Sequence, residues 1–363
     1  MMTIMNTKTN KGFTLVELMI AITISSVLML GVSQIFSSSK RTYKLNTELA
    51  RTQENIRYAV EEIARDVRMA GYTGCRSNTL TNTLNRGTTW VDNIGTSLLG
   101  YEGGVDTFPT EYAAAGTTAI TGTDSILILR GGDDAGLKFD QKVNAANFKV
   151  NVNNHGLESG DILMLTDCSH TAVVQVTNVN TSNGTVVHQT GTTGPGNCTK
   201  GMGSPDCSGG VNGTAYPWNK SAHVIKFQAH AYYIAASVNG LAGSRSLYRM
   251  ALDKTPKVAE ELIEGVDNMQ ITYGYDSNGD DFANRYVKAN DVSDFNKVVS
   301  IRIGLLFQSR DHAKRSINTQ DFSLAGTTIS STSTTPGVHE YAEDNRLRFA
   351  INTVIKLRNK GIK

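Results

Sequence analysis

Between Phe13 and Phe36 the chain reads FTLVELMIAITISSVLMLGVSQIF, 24 residues in which Glu17 is the sole charge. As a helix rising ~1.5 Å per residue, such a run measures roughly 36 Å, enough to cross the ~30 Å hydrocarbon core of a bilayer. It is the densest apolar block of the 363 residues, so a polytopic membrane protein is excluded. A secretory signal has a shorter apolar region followed by a small-residue cleavage site. Here the small-residue break, Gly12, comes before the run, and the run is expected to stay as an anchor. Lys8 and Lys11 precede it and Lys40, Arg41 and Lys44 follow it, so flanking charge leaves the orientation open.

Helical spacing continues past the apolar run. Leu45, Leu49, Ile56, Val60, Ile63 and Val67 fall 4, 7, 4, 3 and 4 residues apart and share one face. Arg51, Glu54, Arg57, Glu61 and Asp66 are expected opposite them, in water. No Pro or Gly interrupts Val32 to Ala70, and Gly71 follows a basic last turn containing Arg65 and Arg68, a helix stop with Gly at C′. The pattern predicts one helix over 13–70, with Gly31 its weak point.

Beyond Gly71 short apolar runs alternate with Gly, Asn, Ser and Thr clusters. Residues 125–130 (SILILR) and 161–166 (DILMLT) read as strands buried on both faces. Ile225, Phe227, Ala229, Ala231 and Tyr233 alternate with Lys226, Gln228, His230 and Tyr232, the pattern of a strand buried on one face. The same alternation runs through 269–275, 299–307 and 349–357. One long helix followed by many strands predicts an α+β fold, an antiparallel sheet packed on the amphipathic half of the helix. Residues 180–220 and 323–337 read as long surface loops.

Chemistry is sparse. Lys and Arg number 35 against 33 Asp and Glu, a net +2 that lacks the field of a dedicated nucleic-acid binder. The seven histidines form no H-E-x-x-H pattern, and there is no G-x-S-x-G elbow or phosphate loop. Ser169–His170 and Asp311–His312 are adjacent pairs of the sort composition alone produces, so no catalytic residue is assigned. Gly131-Gly-Asp-Asp134 reads as a turn, and Arg310, Lys314 and Arg315 as a solvated basic cluster. Asp276, Asn278 and Asp280 place oxygen ligands at alternate positions, as calcium loops do, but the sixth position is Asp281 and the twelfth Val287. A polar turn around Asn278-Gly279 is the competing reading. No cofactor is required by this chain, and calcium is its one candidate ion.

The string KGFTLVELMIA, Lys11 to Ala21, resembles the amino-terminal signal of type IV prepilins and type II secretion pseudopilins. The resemblance implies that a prepilin peptidase cuts after Gly12 on the cytoplasmic face, that Phe13 is then N-methylated, and that Glu17 is the fifth residue of a 351-residue mature chain. It also implies that Glu17 pairs with the Phe13 amine of a neighbouring subunit and sets axial register. Independently of family, a first-turn carboxylate is favoured by the helix dipole. Residues 261–276 (ELIEGVDNMQITYGYD), 68–75 (RMAGYTGC) and 357–359 (LRN) resemble the PilW-type minor pilins. The implied fold is pilin-like: leader 1–12, transmembrane segment 13–36, amphipathic continuation 37–71 and a β-rich periplasmic or extracellular domain 72–363.

By the same resemblance the chain is a minor pilin, not an enzyme, that joins other minor pilins and the major pilin on an inner-membrane assembly platform. A large tip adhesin is a candidate partner, and no nucleic acid is firmly implied. A J-type pseudopilin of type II secretion and a tip adhesin or DNA receptor using 77–220 are the alternatives. An oxidising compartment turns the four cysteines into two disulfides, with three possible connectivities. Cys198 with Cys207, and Cys75 with Cys168, is the expected one.

Overall fold

The computed structural model describes residues 12–75, 79–106, 108–109, 112, 118–132, 136–203, 207–241, 243–254, 256–312, 316–331 and 339–359. The helix α1, Leu15–Met69, runs without a break through Gly31. The chain divides into two units at Arg51, inside this helix. In the first unit the large apolar residues from Phe13 to Phe36 are all exposed, Phe13 at 90% and Phe36 at 69%. In the second, Ala59, Ile63, Ala64, Val67 and Ala70 are buried. Gly71, at φ +71°, ends the helix, and its N–H donates to Leu129 O at 2.9 Å.

An eight-stranded sheet is organised around one long strand, β10 (His223–Ala236). One edge of β10 pairs with β3 (Ser125–Gly131). Its other edge pairs first with β6 (Ile162–Thr166) and then with β11 (Arg245–Ala251), which pairs with β12 (Val258–Glu264). β2 (Leu98–Tyr101) flanks β3, while β7 (Thr171–Gln175) and the parallel β1 (Leu80–Asn82) extend the sheet beyond β6. The second sheet is antiparallel, ordered β14 (Arg285–Val287), β13 (Val266–Tyr275), β15 (Val298–His312) and β18 (Arg346–Lys356).

The chain passes from the first sheet to the second through one residue, Gly265. Its φ of +87° is open to glycine, and a Cβ there would come within 2.9 Å of Gln308 O. Four short strands, β4 (Phe139–Asn144), β5 (Asn147–Val150), β8 (Asn178–Asn180) and β9 (Thr185–Val187), form a separate small sheet. β16 (Phe322–Leu324) and β17 (Thr327–Ile329) form a hairpin. A short helix, α2 (Thr89–Asp92), carries buried Trp90.

The buried helix face packs with Ile126 and Ile128 of β3, Tyr232 and Ile234 of β10, and Met269, Ile271, Ile301 and Ile303 of the second sheet. Each such side chain contributes about 1.5–3 kcal/mol when fully buried. The opposite face of β3 and β10 carries Leu127, Leu129, Phe227, Ala231 and Tyr233 against Trp90.

Three expectations therefore need correction. Strand 225–233 is buried on both faces from Ala229 onward, because the helix covers Tyr232 and Ile234 while a second core covers Ala231 and Tyr233. Residues 180–220 are not all surface loop: β9 lies among them, and His188, Asn197 and Thr199 are buried. Likewise 323–337 begins with the β16–β17 hairpin. Residues 1–11, Asp133, Asp134, Lys314 and Arg315 lie outside the described residues.

Candidate functional site

Thr14 precedes the first helical residue, and its side chain closes a capping box with Glu17. Thr14 N–H donates to Glu17 Oε2 at 2.9 Å, and Glu17 N–H donates to Thr14 Oγ1 at 3.3 Å. Within one chain Glu17 is thus satisfied by its own helix start. Farther along, Thr23 Oγ1 donates to Ile20 O at 2.8 Å and Ser26 Oγ to Thr23 O at 2.9 Å. These hydroxyls return their donors to the helix backbone, which suits an apolar medium that offers no acceptors. By length and composition α1 can cross a membrane.

In the second unit the helix is fixed to the sheet by charge as well as by apolar contact. Asp66, expected in water, is fully buried. Its Oδ1 accepts from Arg130 Nη2 of β3 at 2.8 Å. Its Oδ2 lies 2.7 Å from both His230 Nδ1 and Tyr232 Oη of β10. Burial pushes this carboxyl's pKa up, but the His230 hydrogen bond and charge, the Arg130 charge and the Tyr232 hydroxyl outweigh it. The result lies well below the usual carboxylate range. One turn earlier Glu62 accepts from Arg249 of β11 at 3.3 Å, and Arg249 also reaches Glu260 of β12 at 2.7 Å. Local periodicity could not reveal Asp66, since its partners lie 64, 164 and 166 residues away.

A second buried acid group has no sequence signal at all. Asp124 accepts from the N–H groups of Gly103 at 2.8 Å and Ile271 at 2.7 Å. Burial, and then the nearby Glu102 charge, push its pKa up to about 7, against the pull of those two N–H donors and of Lys288. Glu102 is itself buried, and its Oε1 meets Lys288 Nζ at 2.5 Å. The phenol of Tyr273 stands where a Cβ on Gly100 would be, so β2 and β13 approach this closely because residue 100 is glycine.

Both disulfides lie among the described residues. Cys75–Cys168 joins the segment leaving α1 to the β6–β7 connection, and Cys198–Cys207 closes a nine-residue separation in the loop region. At the acidic loop, Asp276 Oδ1 accepts from Gly279 N–H at 2.6 Å and Oδ2 from Asp281 N–H at 3.0 Å. Asn278 Nδ2 donates to Asp280 Oδ2 at 3.0 Å. Those contacts make a polar hairpin between β13 and β14, and among the described residues no three His, Cys, Asp or Glu side chains are grouped to hold a metal. Ser169–His170 is structural too: the His170 ring stacks on Tyr216 at 4.3 Å, and its Nε2 lies 2.7 Å from Met202 O.

Residues 231–359 match the family model described as Type IV Pilus-assembly protein W. Residues 7–33 match the prokaryotic N-terminal methylation motif. No curated protein and no solved structure shows a significant match to the chain. The first match runs from Ala231 in β10 through β18, so it takes in Tyr232, though not His230, and the whole second sheet. The second covers Gly12, Phe13 and Glu17. The chain is thus similar to a type IV pilus-assembly protein W over residues 231–359, and it carries a prokaryotic N-terminal methylation motif at the head of an exposed apolar helix.

Proposed function

We propose that the chain is a non-enzymatic structural subunit that helps prime type IV pilus assembly and sits at or near the pilus tip. The observation that carries this reading is the exposed apolar surface of Phe13 to Phe36 directly behind a methylation motif. Such a helix is stable in lipid and can exchange lipid for the apolar helices of neighbouring subunits, because both surroundings bury the same surface. In this reading residues 1–12 are the leader, prepilin peptidase cuts after Gly12, and the mature chain begins at Phe13. The domain after 72 stands in the periplasm before assembly. Its partners are other minor pilins, the major pilin and the inner-membrane platform. Glu17 would exchange its capping contact with Thr14 for the Phe13 amine of a neighbour, placing the subunit axially.

A clean deletion tests the proposal, with surface pilus yield and exoprotein secretion measured side by side. Lost pili with normal secretion, restored by complementation, supports it. Normal pili with lost secretion moves the chain to the type II machine.

A second reading rests on residues 34–230, which neither family model matches and which contain the Cys198–Cys207 loop. A pilus-tip adhesin would lose surface binding on shortening of 195–210 while keeping normal pili.

A further inference from the structure

Where α1 ends, the β13–β14 hairpin and the close of β18 surround an open cavity of about 800 Å³. Arg68, Lys356 and Arg358 line it, and among the described residues none of the three is in an ion pair. Among the described residues Asp281 is the one acid on its wall. Val298 and Val354 give it an apolar side, and Thr73 and Asn359 also line it. Val354 is 55% exposed, and so is 67% of Phe282, whose ring lies 4.9 Å from Lys356 Nζ. Exposed apolar side chains beside unneutralised cations mark a recognition surface, because neither group gains by standing in water alone.

The cavity also adjoins a free strand edge. β18 is the last strand in its sheet, and the hairpin β16–β17 touches it at Asn352, whose side chain meets Ser323 O and Ala325 N–H. From Thr353 to Lys356 its outer edge is left open among the described residues. An edge of this kind accepts an added strand through backbone hydrogen bonds, with alternate side chains entering neighbouring pockets.

We infer that this cavity receives an acidic side chain carried on an extended segment of another pilin subunit, added alongside the end of β18. The inference rests on the pilin reading above for the identity of its partner, and on charge complementarity for its chemistry. Three cations around one cavity suit a single carboxylate better than a nucleic-acid backbone, which needs a stripe of cations following successive phosphates.

The test uses full-length protein in detergent micelles and a labelled extended peptide of alternating Thr and Val with a central Glu, beside the same peptide with Gln. The Glu peptide is expected to bind about tenfold more tightly than the Gln peptide, a preference that falls as salt rises. Arg68→Gln with Arg358→Gln should abolish that preference, and Lys356→Glu should reverse it. All three side chains are exposed, so thermal melting of the variants should match the parent chain. Equal binding of the two peptides, or an unchanged preference in the variants, overturns the inference. Displacement by a short oligothymidylate better than by unlabelled peptide overturns it in favour of nucleic acid. Leader removal is scored in the cells that supply the protein. A chain that is never cut sinks the pilin reading itself, whereas a cut chain without the peptide preference sinks only this inference.

Discussion

Asp66 Oδ2 lies 2.7 Å from His230 Nδ1, joining the last full turn of α1 to the central strand of the larger sheet across 164 residues of sequence. The contact takes part in a group of four side chains in which the carboxylate is fully buried and Arg130 nearly so.

Asp66→Asn keeps the size of the side chain but leaves Arg130 buried without its counter-charge. Breaking a buried pair from one side costs about 3–5 kcal/mol, so chemical unfolding of the β-rich domain should shift to markedly lower denaturant. The sign with pH follows from the depressed pKa. The carboxylate's contribution is present above the unfolded pKa near 4 and is lost as pH falls through the lower folded value. Acid should therefore destabilise the parent chain more steeply than the variant below about pH 4.

Asp124 works in the opposite sense. Its folded pKa of about 7 exceeds the unfolded value, so its contribution is complete below about pH 4 and is lost as pH rises through 7. Replacing it with Asn removes the titration while keeping a side-chain carbonyl for one of the two N–H donors. Melting temperatures compared from pH 5 to pH 8 should move in favour of Asp124→Asn as pH rises, by an amount on the order of a few kcal/mol. A difference that stays flat across that range would show that Asp124 is ionised throughout.

The Cys75–Cys168 bond spans 93 residues. Replacing both cysteines with Ser frees a long loop in the unfolded chain and should cost about 2–5 kcal/mol, read as a lower melting temperature. Cys198→Ser with Cys207→Ser opens a separation of only nine and should cost less.

Glu17→Ala removes the capping box, worth about 1 kcal/mol to the helix start, and makes the apolar run still more apolar. Membrane retention of the variant should equal that of the parent chain, while its recovery in sheared pili should fall at least several-fold. Equal recovery of both chains would mean that axial register does not depend on this carboxylate.

Local periodicity made much of this molecule legible. Apolar residues at helical spacing located the buried stripe from Ile63 to Val67, and alternating residues in 269–275 and 299–307 located the core strands of the second sheet. Asp66 defeated the same reasoning, because a buried charge is settled by partners from β3 and β10 that no window of sequence contains. Asp124 and Glu102 were invisible for the same reason. The strand β9 was missed because three residues flanked by Gly, Asn and Thr give too short a run for any period to register. Gly265, by contrast, lay inside a motif whose resemblance was evident while its physical task, turning the chain from one sheet into the other, was not.

The sharing of one β10 edge by β6 and β11, with β3 along the other, has a mechanical consequence. A strand held on both sides along its length, and bolted to α1 through Asp66, offers no outer layer that can peel away first. Tension entering the β-rich domain through residues 52–69 is delivered to the middle of the sheet, where backbone hydrogen bonds must fail together in shear instead of one by one. The domain should therefore give way in a single abrupt step under force, at a load governed by its unfolding rate.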